Sequence, residues 1–120
     1  MDPGHARGRA GEDLAACFLE SCGFTILARR WRRPGGEVDL VATRPQLVVF
    51  VEVKTRGPRA WTRPEDRVRP VQRLILRRLA RQWLAANPRY LAWECRCDVV
   101  AVDLAGEGRG LVLRHYPGAF

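Results

Sequence analysis

The chain is almost without lysine. Of its 21 basic residues, Lys54 is the single lysine and every other one is arginine. Acidic residues are also in the minority, 13 in all, which leaves a net charge of +8 and an isoelectric point near 10.6. Long apolar runs are missing. Runs such as residues 47–51 are far short of the roughly 20 residues that span a bilayer. The opening "MDPGHARGRAGEDL" has no apolar stretch of the signal-peptide kind. These absences predict a cytoplasmic protein with no membrane association. The four cysteines, Cys17, Cys22, Cys95 and Cys97, include no C-x-x-C pair, and His5 and His115 are remote from them in sequence, so zinc spacing is absent. They read as reduced, small, buried side chains.

A length of 120 residues with 47% apolar content suits one domain with a proper core. The excess positive charge points to a polyanionic partner, nucleic acid ahead of membrane. It is also concentrated. Residues 56–81 hold nine arginines against Glu65 and Asp66.

Periodicity gives the elements. Residues 9–22 read as a helix, with Leu14, Ala15, Phe18, Leu19 and Cys22 on one stripe and Gly23 ending it. Residues 24–31 read as a strand with Phe24, Ile26 and Ala28 on one face, followed by the turn "RRPGG". "EVDLVA" is a second strand, with Glu37, Asp39 and Val41 on one face, and residues 47–55 a third. Residues 56–69 read as a loop or short helical turns. Pro70 starts a helix running to about Ala86, with Val71, Ile75, Leu79 and Trp83 as its core stripe and Arg73, Arg77 and Arg81 on roughly the opposite side. "CRCDVVAVDL" and "LVLRHY" supply two more strands. The order α-β-β-β-α-β-β predicts an α/β domain. Its first three strands are antiparallel, and a helical crossover makes the next pair parallel, giving a mixed central sheet flanked by helices.

The third strand raises the chemical question. "VVFVEVKTR" reads as a buried strand, yet it carries Glu52 and Lys54 on one face, and burying an ion is costly unless it is paired or ligated. A short hairpin sets the second strand beside it, so that Asp39 and Glu52 converge if the register allows. Two carboxylates converging from adjacent strands make an oxygen site for Mg²⁺ or Mn²⁺, and a divalent ion would relieve their repulsion. Lys54 then falls beside the ion, where a compact ammonium can orient water or steady a developing phosphorane oxygen and a planar guanidinium is no equivalent. A structural Glu52–Lys54 or Asp39–Lys54 ion pair is the competing reading. Glu12, at the edge of the first helix's apolar stripe, could reach the same ion or simply complement the helix dipole. The arginine row and the basic loop before it read either as a solvated face or as a phosphate-binding surface.

These residues carry a resemblance. "GRAGEDLAACFLESCGFTILARRWRRPGGEVDLVA", "LVVFVEVKTR" and "CRCDVVAVDL" resemble the YraN-like family of small bacterial proteins over nearly the whole chain. The resemblance implies the PD-(D/E)xK nuclease superfamily, a restriction-endonuclease-like fold, and kinship with archaeal Holliday-junction resolvases. It makes Asp39 and Glu52 metal ligands, with the Val53 carbonyl and Glu12 beside them, and Lys54 catalytic together with the three carboxylates. It matches Gln72 to a glutamine at that place in such nucleases, and adds Gln72 to Arg56, Arg73, Arg77 and Arg81 as a nucleic-acid-binding set. The proline of the superfamily motif is replaced here, with Glu37-Val38 before Asp39, and position 71 is valine where a basic residue is expected. The implied activity is Mg²⁺- or Mn²⁺-dependent hydrolysis of DNA, with branched or flapped substrates and a homodimer following from the resolvase likeness. Two other readings stand beside it. One is a nucleic-acid-binding module that does not cut; the other is a protein-interaction domain with a basic face.

Overall fold

The computed structural model describes residues 3–56, 69–104 and 111–120, with side chains for residues 9–55, 69–103 and 112–120. In chain order the elements are helix α1 (Pro3–Ser21), strands β1 (Thr25–Arg33), β2 (Gly36–Arg44) and β3 (Leu47–Arg56), helix α2 (Pro70–Ala86), a short 3-10 turn (Pro88–Tyr90), and strands β4 (Glu94–Leu104) and β5 (Leu111–Tyr116). The five strands form one sheet in sequence order. β1, β2 and β3 are antiparallel neighbours, β3 and β4 are parallel, and β4 and β5 are antiparallel. This is the expected mixed α/β sheet flanked by two helices, consistent with a restriction-endonuclease-like fold.

Turn chemistry fixes the register. Pro34-Gly35 joins β1 to β2, with Gly35 at φ 94°, and Pro45-Gln46 joins β2 to β3, with Gln46 at φ 68°. Both follow the pattern of proline first and a positive φ second. The second loop sets Arg44 opposite Leu47 and so Leu40 opposite Val51. Continued one step, that register brings Asp39 level with Glu52.

Each face of the sheet carries a core. On one side α1 packs Ala15, Ala16 and Leu19 over Leu40, Ala42, Val49, Val51, Val100 and Val102. On the other α2 packs Leu76, Leu79, Ala80 and Trp83 over Val38, Val41, Val48, Phe50 and Val99. β3 and β4 are buried on both faces, which explains their near-continuous apolar sequences.

Several details depart from strict periodicity. α1 starts earlier than its apolar stripe. Ala28 lies on the α2 side while Ile26 lies on the α1 side, because β1 gains a residue at Leu27, between the pairs Ile26–Ala42 and Ala28–Val41. Val38 likewise packs toward α2, with Val41, although Leu40 and Ala42, of the same parity, face α1. The alternation of β2 therefore breaks between Val38 and Leu40, at Asp39. Val71 is 62% exposed instead of being core, and Leu76 and Ala80 take its place in the stripe. The cysteines are free, but Cys17, Cys22 and Cys95 are exposed and Cys97 is half-buried, so the expectation of buried thiols fails. Among the described residues no helix is long and apolar enough to cross a membrane.

Candidate functional site

The site forms where the β2–β3 ladder stops. Backbone pairing runs from Arg44–Leu47 to Leu40–Val51 and goes no further. Beyond it the Asp39 carboxylate replaces a main-chain acceptor, and Val53 N–H donates to Asp39 Oδ2 at 2.7 Å. In an extended strand the N–H and C=O of one residue leave on the same side. The Val53 carbonyl therefore points into the same gap, the position expected of a metal-ligating carbonyl. β3 stays paired with β4 through Glu52, Val53 and Lys54, so its other edge is held rigid.

β1 is irregular at the matching level. Arg29 pairs with Leu40 and Trp31 with Val38, but Arg30 and Asp39, which lie between them, are out of the ladder. Arg30 sits in the left-handed region at φ 50°. A long side chain there costs about 1–3 kcal/mol and persists only where the surroundings enforce it. The twist carries the Arg30 guanidinium to α1, where Nε donates to Glu12 Oε2 at 2.7 Å.

Gly11 places Glu12. A Cβ at position 11 would collide with the Thr55 side chain of β3. Glycine there lets α1 settle directly on the sheet, and the next residue overhangs the ladder gap. Oxygens of Glu12, Glu37 and Asp39 then lie within 4.8 Å of one another, and Glu52, one register step past the Leu40–Val51 pair, is close enough for its charge to act on Asp39. Three carboxyls thus converge from α1 and β2, and a fourth, Glu52 of β3, lies beside Asp39.

Three of the four have a cation. Glu12 pairs with Arg30 at 2.7 Å, Glu37 with Arg32 at 2.6 Å and Glu52 with Lys54 at 3.3 Å. Asp39 takes the Val53 N–H instead, and no described residue makes a salt bridge to it. Burial and then the neighbouring Glu52 push its carboxyl up to about 8, against the pull of the Val53 N–H. Burial raises Glu52 as well, opposed by Lys54. Lys54 Nζ and Gln72 Nε2 both reach Glu52 Oε1, at 3.3 and 3.2 Å, and neither uses Oε2. The Lys54 side chain is 15% exposed, enough to meet a ligand at the mouth of the site.

Asp39, Glu52, Lys54, Val53 and Glu12 are therefore brought together. Gln72, grouped with the nucleic-acid contacts, donates into this site from the first turn of α2. Arg77 and Arg81 are exposed on α2 and Arg73 is half-buried. Arg56 ends β3 with its side chain outside the described residues, as do the basic stretch 57–68 and Trp61. Trp31 and Trp93 pack in the α2-side core. Sequence reasoning missed Arg30, because nothing in alternation marks a left-handed residue inside a strand. It gave no role to Glu37, although its spacing from Asp39 was visible. It also missed Asp98, fully buried on β4, whose oxygens accept from Arg96 Nε and Nη2, His115 Nε2 and the Gly118 N–H at 2.7–3.0 Å. Those donors hold its carboxyl below the usual range despite burial. Fully satisfied, it clamps the C-terminal turn to β4.

Residues 11–102 match the family model described as "Uncharacterised protein family UPF0102". Similar chains include a UPF0102 protein of Nitratidesulfovibrio vulgaris, 42% identical over 100% of this chain and 87% of the relative. One of Moorella thermoacetica is 43% identical over 95% of this chain and 94% of its own length. One of Beutenbergia cavernae is 46% identical over 81% of each.

Proposed function

The chain belongs to the uncharacterised protein family UPF0102, and from its carboxylate site we propose that it is a cytoplasmic, divalent-metal-dependent endonuclease that hydrolyses phosphodiester bonds in DNA. One observation carries the reading. Asp39 and Glu52, from neighbouring strands, sit side by side at a gap of the sheet next to the chain's single lysine, and no described residue makes a salt bridge to Asp39.

The donor set fits Mg²⁺ or Mn²⁺. It is all oxygen, offering carboxylates from Asp39, Glu52 and Glu12 and the Val53 carbonyl, with Glu37 within reach of the cluster. Such an ion would supply Lewis acidity to a phosphodiester oxygen and cancel part of its charge. The chain's residues do the rest. Lys54 donates to the attacking water and to the phosphoryl oxygen on which charge develops. Gln72 and Lys54 hold Glu52 by one oxygen, which fixes the carboxylate's direction. Water oxygen bonds to phosphorus, the bond to the leaving sugar oxygen breaks, and the water's proton ends on the leaving oxygen. Arg73, Arg77 and Arg81, with Arg56, supply salt-sensitive, weakly sequence-dependent grip on the strand. DNA ahead of RNA, branched or flapped structures, and a homodimer rest on the resemblance to resolvases.

The test is incubation of purified protein with linear, flapped and four-way DNA and with an RNA duplex, in Mg²⁺, Mn²⁺ or EDTA. Metal-dependent product that disappears in Asp39→Asn and Lys54→Ala is expected. Salt-dependent binding without product would replace the enzyme by a binding module, and no binding at all would favour a protein partner.

A further inference from the structure

A cleft of about 240 Å³ lies beside the carboxylate cluster, lined by Arg9, Glu12, Asp13, Arg29 and Arg30. It opens between α1 and β1 on the side away from α2, so the basic row of that helix does not reach it. Its lining holds three guanidiniums and two carboxylates, a net positive balance next to a strongly negative site. Glu12 belongs to both places. It lies within 4.8 Å of Asp39 on one side and bonds Arg30 on the other.

Arg30 is the odd member. A strand interior has no use for a left-handed arginine, and its backbone is strained to put a guanidinium here. The bond to Glu12 runs through Nε, the inner nitrogen of the fork. Arg29 is held by Asp13 alone among the described residues, in an exposed pair that a stronger anion would displace at little cost. Planar guanidinium forks converging on one cleft match the oxygens of a phosphate.

We propose that this cleft is a phosphate subsite, and that Arg30 and Arg29 hold there the phosphate neighbouring the one presented to the carboxylate cluster. This rests on the nuclease reading of that cluster. The ligand is a phosphate group of a nucleic-acid strand, either an internal phosphodiester or a terminal phosphomonoester. Arg30 ties the two places together, because the guanidinium that grips the phosphate also holds Glu12 over the metal ligands.

The experiment measures binding in EDTA at low salt, so that cleavage and metal affinity are not read. Fluorescence anisotropy follows a short oligothymidylate bearing a 5′-phosphate and the same oligomer bearing a 5′-hydroxyl, with inorganic phosphate as competitor. Arg30→Gly suits the left-handed backbone, and Arg29→Gln alters an exposed position; thermal melts confirm that both are folded. Loss of about tenfold in affinity for Arg30→Gly, a smaller loss for Arg29→Gln, and a salt slope reduced by about one charge in each are expected. A loss on both oligomers identifies an internal phosphodiester, and a loss confined to the 5′-phosphorylated one identifies a chain end. Parental affinity in both folded variants, or no binding by the parent, overturns the proposal. A protein that binds through this cleft yet cuts nothing in any metal keeps the subsite and sinks the nuclease. A protein that cuts but ignores both substitutions does the reverse.

Discussion

Replacing Asp39 by asparagine removes the titratable group and little else. An asparagine oxygen can still accept the Val53 N–H, and its amide N–H₂ can donate to Glu52, which now faces a dipole where it faced a carboxyl. The consequence is a stability gain in the metal-free protein that grows with pH. In the native state burial and Glu52 hold the Asp39 carboxyl up to about 8, against 3.8 for a free aspartate. Between those values the folded protein keeps a proton that the unfolded chain has lost. The unfolded state binds fewer protons, so stability falls as pH rises through this window. The slope is at most about 1.4 kcal/mol per pH unit, with a ceiling of about 6 kcal/mol across the window. Equilibrium urea melts in EDTA at several values between about pH 5 and about pH 8 measure this directly. The parent loses stability toward high pH; Asp39→Asn has a shallower slope and is the more stable protein at the alkaline end. Titrating groups remote from Asp39 are common to both proteins and cancel in the difference, which leaves Asp39 and its neighbour Glu52 as the source of the change. Adding Mn²⁺ at the alkaline end should then raise the parent's midpoint and leave that of Asp39→Asn unmoved. Parallel pH profiles for the two proteins would refute the assignment of a strained, cation-seeking carboxyl to Asp39, and equal Mn²⁺ stabilisation would refute its role as a ligand.

Other outcomes follow from the same geometry. Glu52→Gln should abolish Mn²⁺ binding in a calorimetric titration while keeping the Gln72 contact, and an unchanged affinity counts against Glu52 as ligand. Lys54→Arg, like Lys54→Ala, should lose cleavage but retain Mn²⁺ affinity, because the fork cannot reproduce a point charge at 3.3 Å from Glu52; full activity in Lys54→Arg would show that only charge is required. Gly11→Ala drives a methyl into Thr55 and should lower stability by about 1–3 kcal/mol in urea melts, with Mn²⁺ affinity falling as Glu12 is displaced. Asp98→Asn breaks the Arg96 and His115 pairs inside the protein and should cost about 3–5 kcal/mol. Because the folded Asp98 carboxyl lies below its ordinary value, this stability is present above the unfolded pKa and is lost as pH falls through the folded one, so the variant should lack the parent's acid-side decline.

The order of elements was legible because helix and strand periods differ and because Pro34-Gly35, Pro45-Gln46 and Pro70 punctuate them. The nearness of Asp39 and Glu52 was legible only up to the register, since a short hairpin sets their strands side by side and the two-residue Pro45-Gln46 loop of the structure then fixes the pairing. Lys54 announced itself by rarity. What alternation could not carry was every place where the sheet departs from two residues per repeat. The extra residue at Leu27 turned Ala28 to the opposite face, and the break at Asp39 set Val38 opposite to Leu40. Arg30 was invisible for the same reason. Exposure of Val71 and the cysteines was hidden because composition says how apolar a residue is, not where an element overhangs its neighbour.

Those departures share a location, and that bears on why the site exists. A continuous ladder would satisfy Val53 with a main-chain carbonyl and leave no room between β2 and β3. The chain instead stops pairing at Leu40–Val51, sets Arg30 and Asp39 out of register together, and closes the opening with a carboxylate. A carboxylate is a poor substitute for a carbonyl in a buried sheet, since it must either hold a proton or face a cation. Glu52, fixed level with it by the register, makes the first option compete with a second acid and the second option the stronger one. If the gap were only a packing irregularity, Asp39→Asn with Glu52→Gln would heal it. The double variant would then match or exceed parental stability with Mn²⁺ present. Parental stability that exceeds the double variant's only when Mn²⁺ is added is the outcome that identifies the opening in the sheet as a cation's seat.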